Sequence, residues 1–120
     1  MNVLIVESRP ELGRIWHRHL ERQGWDVTLA GSAQDAVAAL QRGRFEVIVL
    51  DLVLPDGSAL AVADVASYRH PQARVIFVTN TGFFSDGSIF NLAPNACAYL
   101  PSATPPEDLA AMVEHYAAQS

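Results

Sequence analysis

At 120 residues, half of them hydrophobic and 18% charged, the chain has the length and balance of one domain with a real core. Its formal net charge of −5 and pI near 5.2 argue against a binder of nucleic acid or of a membrane surface, which would need a basic face. The single cysteine, Cys97, excludes an internal disulfide and points to a reducing cytoplasm, and no apolar run approaches the roughly 20 residues of a membrane span.

In chain order, residues 2–6 are a continuous apolar run that delivers a carboxylate, Glu7, to its end. Ser8-Arg9-Pro10-Glu11 reads as a capping box with proline at the first helical position. Leu12, Ile15, Trp16, His19 and Leu20 then follow the spacing of one buried helix face. Arg9, Arg14, Arg18 and Arg22, with His17 and His19, read as the solvated flank of that helix. Gly24 hands the chain to a strand over 25–30, and Ser32 begins a second helix with Asp35 in its first turn. Ala33, Ala36, Val37 and Leu40 form that helix's apolar face, and Gly43 ends it.

Residues 45–50 are again apolar and end on Asp51, followed by the turn Leu54-Pro55-Asp56-Gly57 and an alanine-rich helix over 58–68. A strand over 75–79 ends on Thr79-Asn80, and the aromatic pair Phe83-Phe84 leads into a helical segment over 85–92. Cys97 reads as a small buried hydrophobe beside a strand over 98–100. Thr104-Pro105-Pro106-Glu107 reads as a second capping box, before a helix with Leu109, Met112, Val113 and Tyr116 on one face.

Five strands alternating with helices predict an α/β fold, a doubly wound (βα)5 five-stranded parallel sheet with right-handed crossovers, filling residues 1–120 as a single domain. Continuous rather than alternating apolar strands agree, because such strands are covered on both faces. Sites in these folds lie beyond the carboxyl ends of the strands, where this chain carries Glu7-Ser8, Asp51, Thr79-Asn80 and Leu100-Pro101-Ser102. A carboxylate at the tip of a central apolar strand is poorly explained as a solubility residue. Asp56-Gly57, by contrast, is adequately explained by turn chemistry.

Val3-Leu4-Ile5-Val6-Glu7, Asp51-Leu52-Val53-Leu54-Pro55-Asp56-Gly57, Val75-Ile76-Phe77-Val78-Thr79 and Ala98-Tyr99-Leu100 together resemble the receiver domain of two-component response regulators. The resemblance runs through essentially the whole chain in order and spacing. It implies that Asp51 is the phosphoacceptor, Thr79 the switch hydroxyl that bonds a phosphoryl oxygen, and Tyr99 the aromatic that changes rotamer with it. It also implies a Mg²⁺ site made by Glu7, Asp51 and the backbone carbonyl of Val53. Phosphoryl transfer is mostly positioning and charge neutralisation, which is why a carboxylate nucleophile needs a metal ion and a lysine around the transferred group.

Two positions depart from the family pattern. Receivers end the first strand with two adjacent acids, the second touching Mg²⁺, whereas here Ser8 follows Glu7 and is a weak ligand at best. Ser102 and Ala103 fall where receivers carry a lysine and a proline. The two losses are balanced in charge, so the fold should tolerate them. At roughly 1.5–3 kcal/mol for each lost contact, Mg²⁺ affinity or transfer rate should fall about 10²–10⁴-fold, leaving Mg²⁺ binding weak or absent. Glu7, one methylene longer than aspartate, and Arg9 are the residues from which compensation would come.

The resemblance therefore implies a stand-alone receiver-like signalling protein of a two-component phosphorelay, taking phosphate onto Asp51 from a histidine kinase or phosphotransfer protein. The competing reading is a pseudo-receiver, a phosphorylation-independent protein-interaction module. Either would engage a downstream target through the surface of the fourth predicted helix, fifth predicted strand and fifth predicted helix, where Phe83-Phe84 suggests a partner or homodimer contact. A cytoplasmic location is expected, with no nucleic-acid or membrane partner. An enzyme on this fold is disfavoured: no G-x-G-x-x-G follows a strand, the first loop lacks a flavodoxin-like phosphate loop, and Val53 stands where an aspartate-based phosphohydrolase wants a second acid.

Overall fold

The apolar segments form strands buried on both sides. The computed structural model describes residues 1–79 and 95–118. Within them β1 (Asn2–Val6), β2 (Asp26–Ala30), β3 (Val47–Asp51), β6 (Arg74–Thr79) and β7 (Ala96–Pro101) make one sheet. Every pairing in it is parallel, and the order is β2-β1-β3-β6-β7. The helices are α1 (Pro10–Glu21), α2 (Ala33–Arg42), α3 (Ala59–Arg69) and α4 (Pro106–Ala117). A two-stranded antiparallel ribbon, β4 (Val53–Leu54) with β5 (Gly57–Ser58), bridges β3 and α3. Asn80, Phe83-Phe84 and the helix expected over 85–92 lie outside the described residues. No described helix is long and apolar enough to cross a membrane.

Alternation along each strand divides the core into two layers. Leu4, Val6, Ile48, Leu50 and Phe77 face α2 and α3, while Val3, Ile5, Val49, Ile76 and Val78 face α1 and α4. These strand side chains are at most 1% exposed. At roughly 1.5–3 kcal/mol for each fully buried large aliphatic or aromatic side chain, the two layers account for the strands' lack of polar residues. The chain runs outward from β1 to β2 and then back past β1 to β3, so the topological switch point lies between β1 and β3. Glu7 and Asp51 close those two strands.

Helix α1 corrects two expectations. Its buried residues are Gly13, Trp16 and Leu20, and Ile15 is 51% exposed. Gly13 sets this rotation: a Cβ there would meet Leu29 Cδ1 at 3.0 Å and Glu7 Cβ at 3.6 Å, so the helix lies close against β2 on its glycine side. The Ser8 capping box does not form either. Pro10 starts the helix, Arg9 is the N-cap residue, and no side chain caps it. The Thr104 box fails in the same way. Pro105 is the N-cap of α4, and the Thr104 hydroxyl turns back to donate to the Pro101 carbonyl at 2.6 Å. In both boxes a proline takes the first helical turn, so one of the amides a cap would serve is already missing.

Helix α2 is capped twice. Ser32 Oγ accepts from Asp35 N–H at 3.1 Å, as its position predicts. The Asp56 carboxylate, reaching from the ribbon turn, also accepts from Ala33 N–H at 2.8 Å and Gln34 N–H at 3.0 Å. Asp56 is therefore more than a turn former; it docks the ribbon on the positive end of α2. Gly57 belongs to the same contact, since a Cβ there would sit 3.1 Å from the Ala33 Cβ. Cys97 is partly buried in β7, its thiol donating to the Val75 carbonyl at 3.4 Å and pushed up to about 11 by burial.

Candidate functional site

The buried polar or charged side chains among the described residues are Glu7, Asp51, Thr79 and Ser102, at 2%, 4%, 3% and 9% exposure. Each stands at or just past the carboxyl end of a sheet strand, β1, β3, β6 and β7 in turn. Burial of a carboxylate is costly, so two of them at neighbouring strand tips mark this end of the sheet as the candidate site.

The four are tied together by short contacts. Ser102 N–H donates to the Thr79 carbonyl at 2.7 Å, and Leu52 N–H donates to the Val78 carbonyl at 3.0 Å, joining the loops after β7 and β3 to the end of β6. Val53 N–H donates to Asp51 Oδ1 at 3.0 Å. Val53 thus meets the aspartate through its amide, and its side chain is 60% exposed. Burial, followed by hydrogen bonding with the Glu7 carboxyl, pushes Asp51 up to about 6.

Arg9 is the residue whose role the sequence pattern left open. It is not part of the solvated flank of α1. Its backbone N–H and its Nε both donate to Glu7 Oε1, at 3.0 and 3.1 Å, and its Nη2 donates to Ser102 Oγ at 2.9 Å. The hydrogen bond to Glu7 and the nearby Asp51 charge hold the guanidinium above its ordinary range. The site therefore contains a cation that the comparison of Glu7 and Asp51 alone leaves out. The signal was present in the sequence as an arginine two residues past a buried acid, with no lysine to balance it.

Tyr99 lies in β7, next to β6. It pairs with Phe77 across β6 and β7 and stacks on it, with ring centroids 5.3 Å apart and planes 11° apart. Thr79, two residues beyond Phe77, shares that sheet face, so hydroxyl and aromatic are neighbours along one layer. Burial raises the Tyr99 phenol above its usual range. Ser8 is half-buried and follows Glu7 out of the strand.

These residues do not fit a resident Mg²⁺ ion. A hard cation of that size wants near-octahedral oxygen donors. Glu7 Oε1 is committed to Arg9, Ser8 contributes no carboxylate, and no three His, Cys, Asp or Glu side chains come together among the described residues.

The family model described as response regulator receiver domain matches residues 3–114. The chain is 37% identical over 79 residues to the probable transcriptional regulatory protein TcrX of Mycobacterium tuberculosis, covering 66% of this chain and 34% of that protein. It is 32% identical over 111 residues to the response regulator protein PilR of Pseudomonas aeruginosa, covering 92% of this chain and 24% of that protein. The chain thus spans about a quarter to a third of these curated relatives. Among solved structures, a CheY-like receiver domain protein from Methanospirillum hungatei superposes with a TM-score of 0.89 at 24% identity, covering 98% of this chain and 94% of that one. TrrA of Thermotoga maritima, solved with Mg²⁺ and BeF, gives 0.82 at 19% identity, covering 96% and 97%. These structural likenesses show the fold.

Proposed function

The chain belongs to the response regulator receiver domain family of two-component signalling, and from that premise we propose that Asp51 is its phosphoacceptor. One observation carries the reading: a nearly fully buried carboxylate closes the central strand beside Glu7, one strand from Thr79. At neutral pH Asp51, raised only to about 6, is mostly ionised and competent as a nucleophile. Its carboxylate oxygen forms the bond to phosphorus while the donor's N–P bond breaks and the electron pair returns to the imidazole. The Thr79 hydroxyl then serves the phosphoryl oxygens, with Tyr99 behind it as the responsive aromatic. Ser102 stands in the lysine's place without its charge.

The donor in this reading is a histidine kinase or phosphotransfer protein, and transfer is slow because an acid and a lysine are missing. A downstream target would be met on the side of β7 and α4. The chain is read as a cytoplasmic signalling module rather than an enzyme.

The test is incubation with acetyl phosphate or phosphoramidate and Mg²⁺, followed by intact mass. Slow labelling of the wild type and none of Asp51→Ala is expected. An unlabelled wild type at high donor, with Asp51→Ala unchanged in partner binding, removes the reading. The second reading, a receiver that binds partners without phosphate, is favoured by the engagement of Glu7 with Arg9 and by Ser8. Beryllofluoride binding separates the two, since it needs a formed site but no transfer.

A further inference from the structure

We infer that the Arg9 guanidinium is the resident cation of this pocket, standing where a divalent ion and a lysine would otherwise supply positive charge, and that it keeps Mg²⁺ out. The contact pattern carries the inference. Three donors of one residue converge on the site: backbone N–H and Nε on Glu7 Oε1, and Nη2 on Ser102 Oγ. A loosely held surface arginine would not use its backbone and side chain on the same buried oxygen. Glu7's side chain is fully buried while that of Arg9 is 45% exposed, so the arginine closes the pocket from the solvent side.

Ser102 has the size and position for this arrangement. It is buried, its amide is fixed on the Thr79 carbonyl, and its hydroxyl accepts the far end of the guanidinium. A lysine at that position would bring a second cation against Arg9. An aspartate at position 8 would add a third carboxylate for the same arginine to balance. The two departures from the family pattern and the presence of Arg9 thus form one exchange, an internal cation for an exchangeable one. A guanidinium also suits oxyanions, because its planar donors match carboxylate and phosphate oxygens. A divalent ion entering beside it would meet like charge and find Glu7 Oε1 taken.

The experiment is an NMR titration with Mg²⁺ alone, reading the amides of Val6, Glu7, Leu52 and Val53. Wild type is expected to show no saturable shift through the millimolar range. Arg9→Gln is expected to gain a saturable site, at least about tenfold tighter, which corresponds to one charge-assisted contact. Arg9→Lys, which keeps the charge, should stay refractory. If Arg9→Gln folds only with Mg²⁺ present, the ion has replaced the guanidinium and the inference holds. If it fails to fold in either condition, Ser102→Ala takes its place, since it frees one end of the guanidinium and should bind Mg²⁺ measurably. Saturable binding to wild type, or no gain in whichever of these variants folds, overturns the inference. Phosphorylation is not the readout, so an unlabelled Asp51 would remove the proposed function and leave this result standing.

Discussion

Arg9 and Ser102 stand 93 residues apart in sequence and meet at 2.9 Å, Nη2 to Oγ, across a sheet in which two strands separate β1 from β7. The contact closes the carboxyl end of the sheet by joining its first-strand loop to its last. It depends on Glu7, which holds the same guanidinium from the other side at 3.1 Å.

Removing either end should therefore cost stability unequally. Arg9→Ala leaves a buried carboxylate without its charged donor and should cost about 1.5–3 kcal/mol, toward the lower end because the arginine is half in solvent. Ser102→Ala loses one neutral acceptor and should cost about 0.5–1.5 kcal/mol. Urea unfolding of both single variants and the double should show a coupling of about 0.5 kcal/mol or more. Strict additivity would mean that the two side chains do not act on each other in solution.

Asp51 makes stability fall as pH rises. Its carboxyl shifts from 3.8 to about 6 on folding, so between those values the folded state holds a proton that the unfolded state has lost. Below the window both states are protonated and above it neither is, and the slope vanishes on both sides. Asp51→Asn keeps the acceptor for Val53 N–H and removes the buried charge. The shift caps the gain near 3 kcal/mol at about 1.4 per unit, and relaxation of the pocket around the charge brings it to about 1–2 kcal/mol. Thermal unfolding should show the variant above wild type at pH 7.5 and level with it near pH 4. A gain of the same size at both pH values would remove the titration as its cause.

Asp56 has the opposite sign. The Ala33 and Gln34 amides hold its carboxyl below the usual range, so its contribution is present above the unfolded carboxylate pKa and disappears as pH falls through the lowered one. Asp56→Ala should lower the melting temperature at pH 7, Asp56→Asn should lower it less, and the differences should shrink in acid. Faster hydrogen exchange of the first amides of α2 would locate the loss. Unchanged exchange there would show that the ribbon does not cap the helix.

Gly13 tests the close seat of α1. Alanine gains about 0.5–1 kcal/mol of helix preference over glycine, against a 3.0 Å contact with the tip of Leu29, a side chain that can give way at 37% exposure. Gly13→Ala should leave urea stability within about 0.5 kcal/mol of wild type. Gly13→Val adds volume that the seat cannot absorb and should cost about 1–3 kcal/mol. A tolerated valine would show that the helix stands off the sheet.

The order and type of the elements were legible because they depend on local pattern. Four helices and five apolar strands appear in the structure close to their expected positions, while the helix expected over 85–92 lies outside the described residues. Ser32 caps its helix as its local spacing predicts. The register of α1 was not legible, because Ile15 and Gly13 both fit an amphipathic spacing and the choice rests on Leu29 in another element. Both proline-containing capping boxes misled for a similar reason. The motif is a local possibility, and the starting turn was set by where proline was placed.

Sequence alone determined the α/β architecture and placed Glu7, Asp51, Thr79 and Ser102 at strand ends, since burial on both faces demands continuous apolar strands whose polar residues can stand only beyond them. Tertiary structure decided what those residues do to one another. Pairing across the sheet set Asp51 beside Glu7, brought Ser102 within reach of Arg9, and carried Asp56 to the start of α2. Charge interactions act over a few ångströms of space and have no counterpart in sequence separation, so an arginine that reads as solvated flank proves to be the counter-charge of a buried acid.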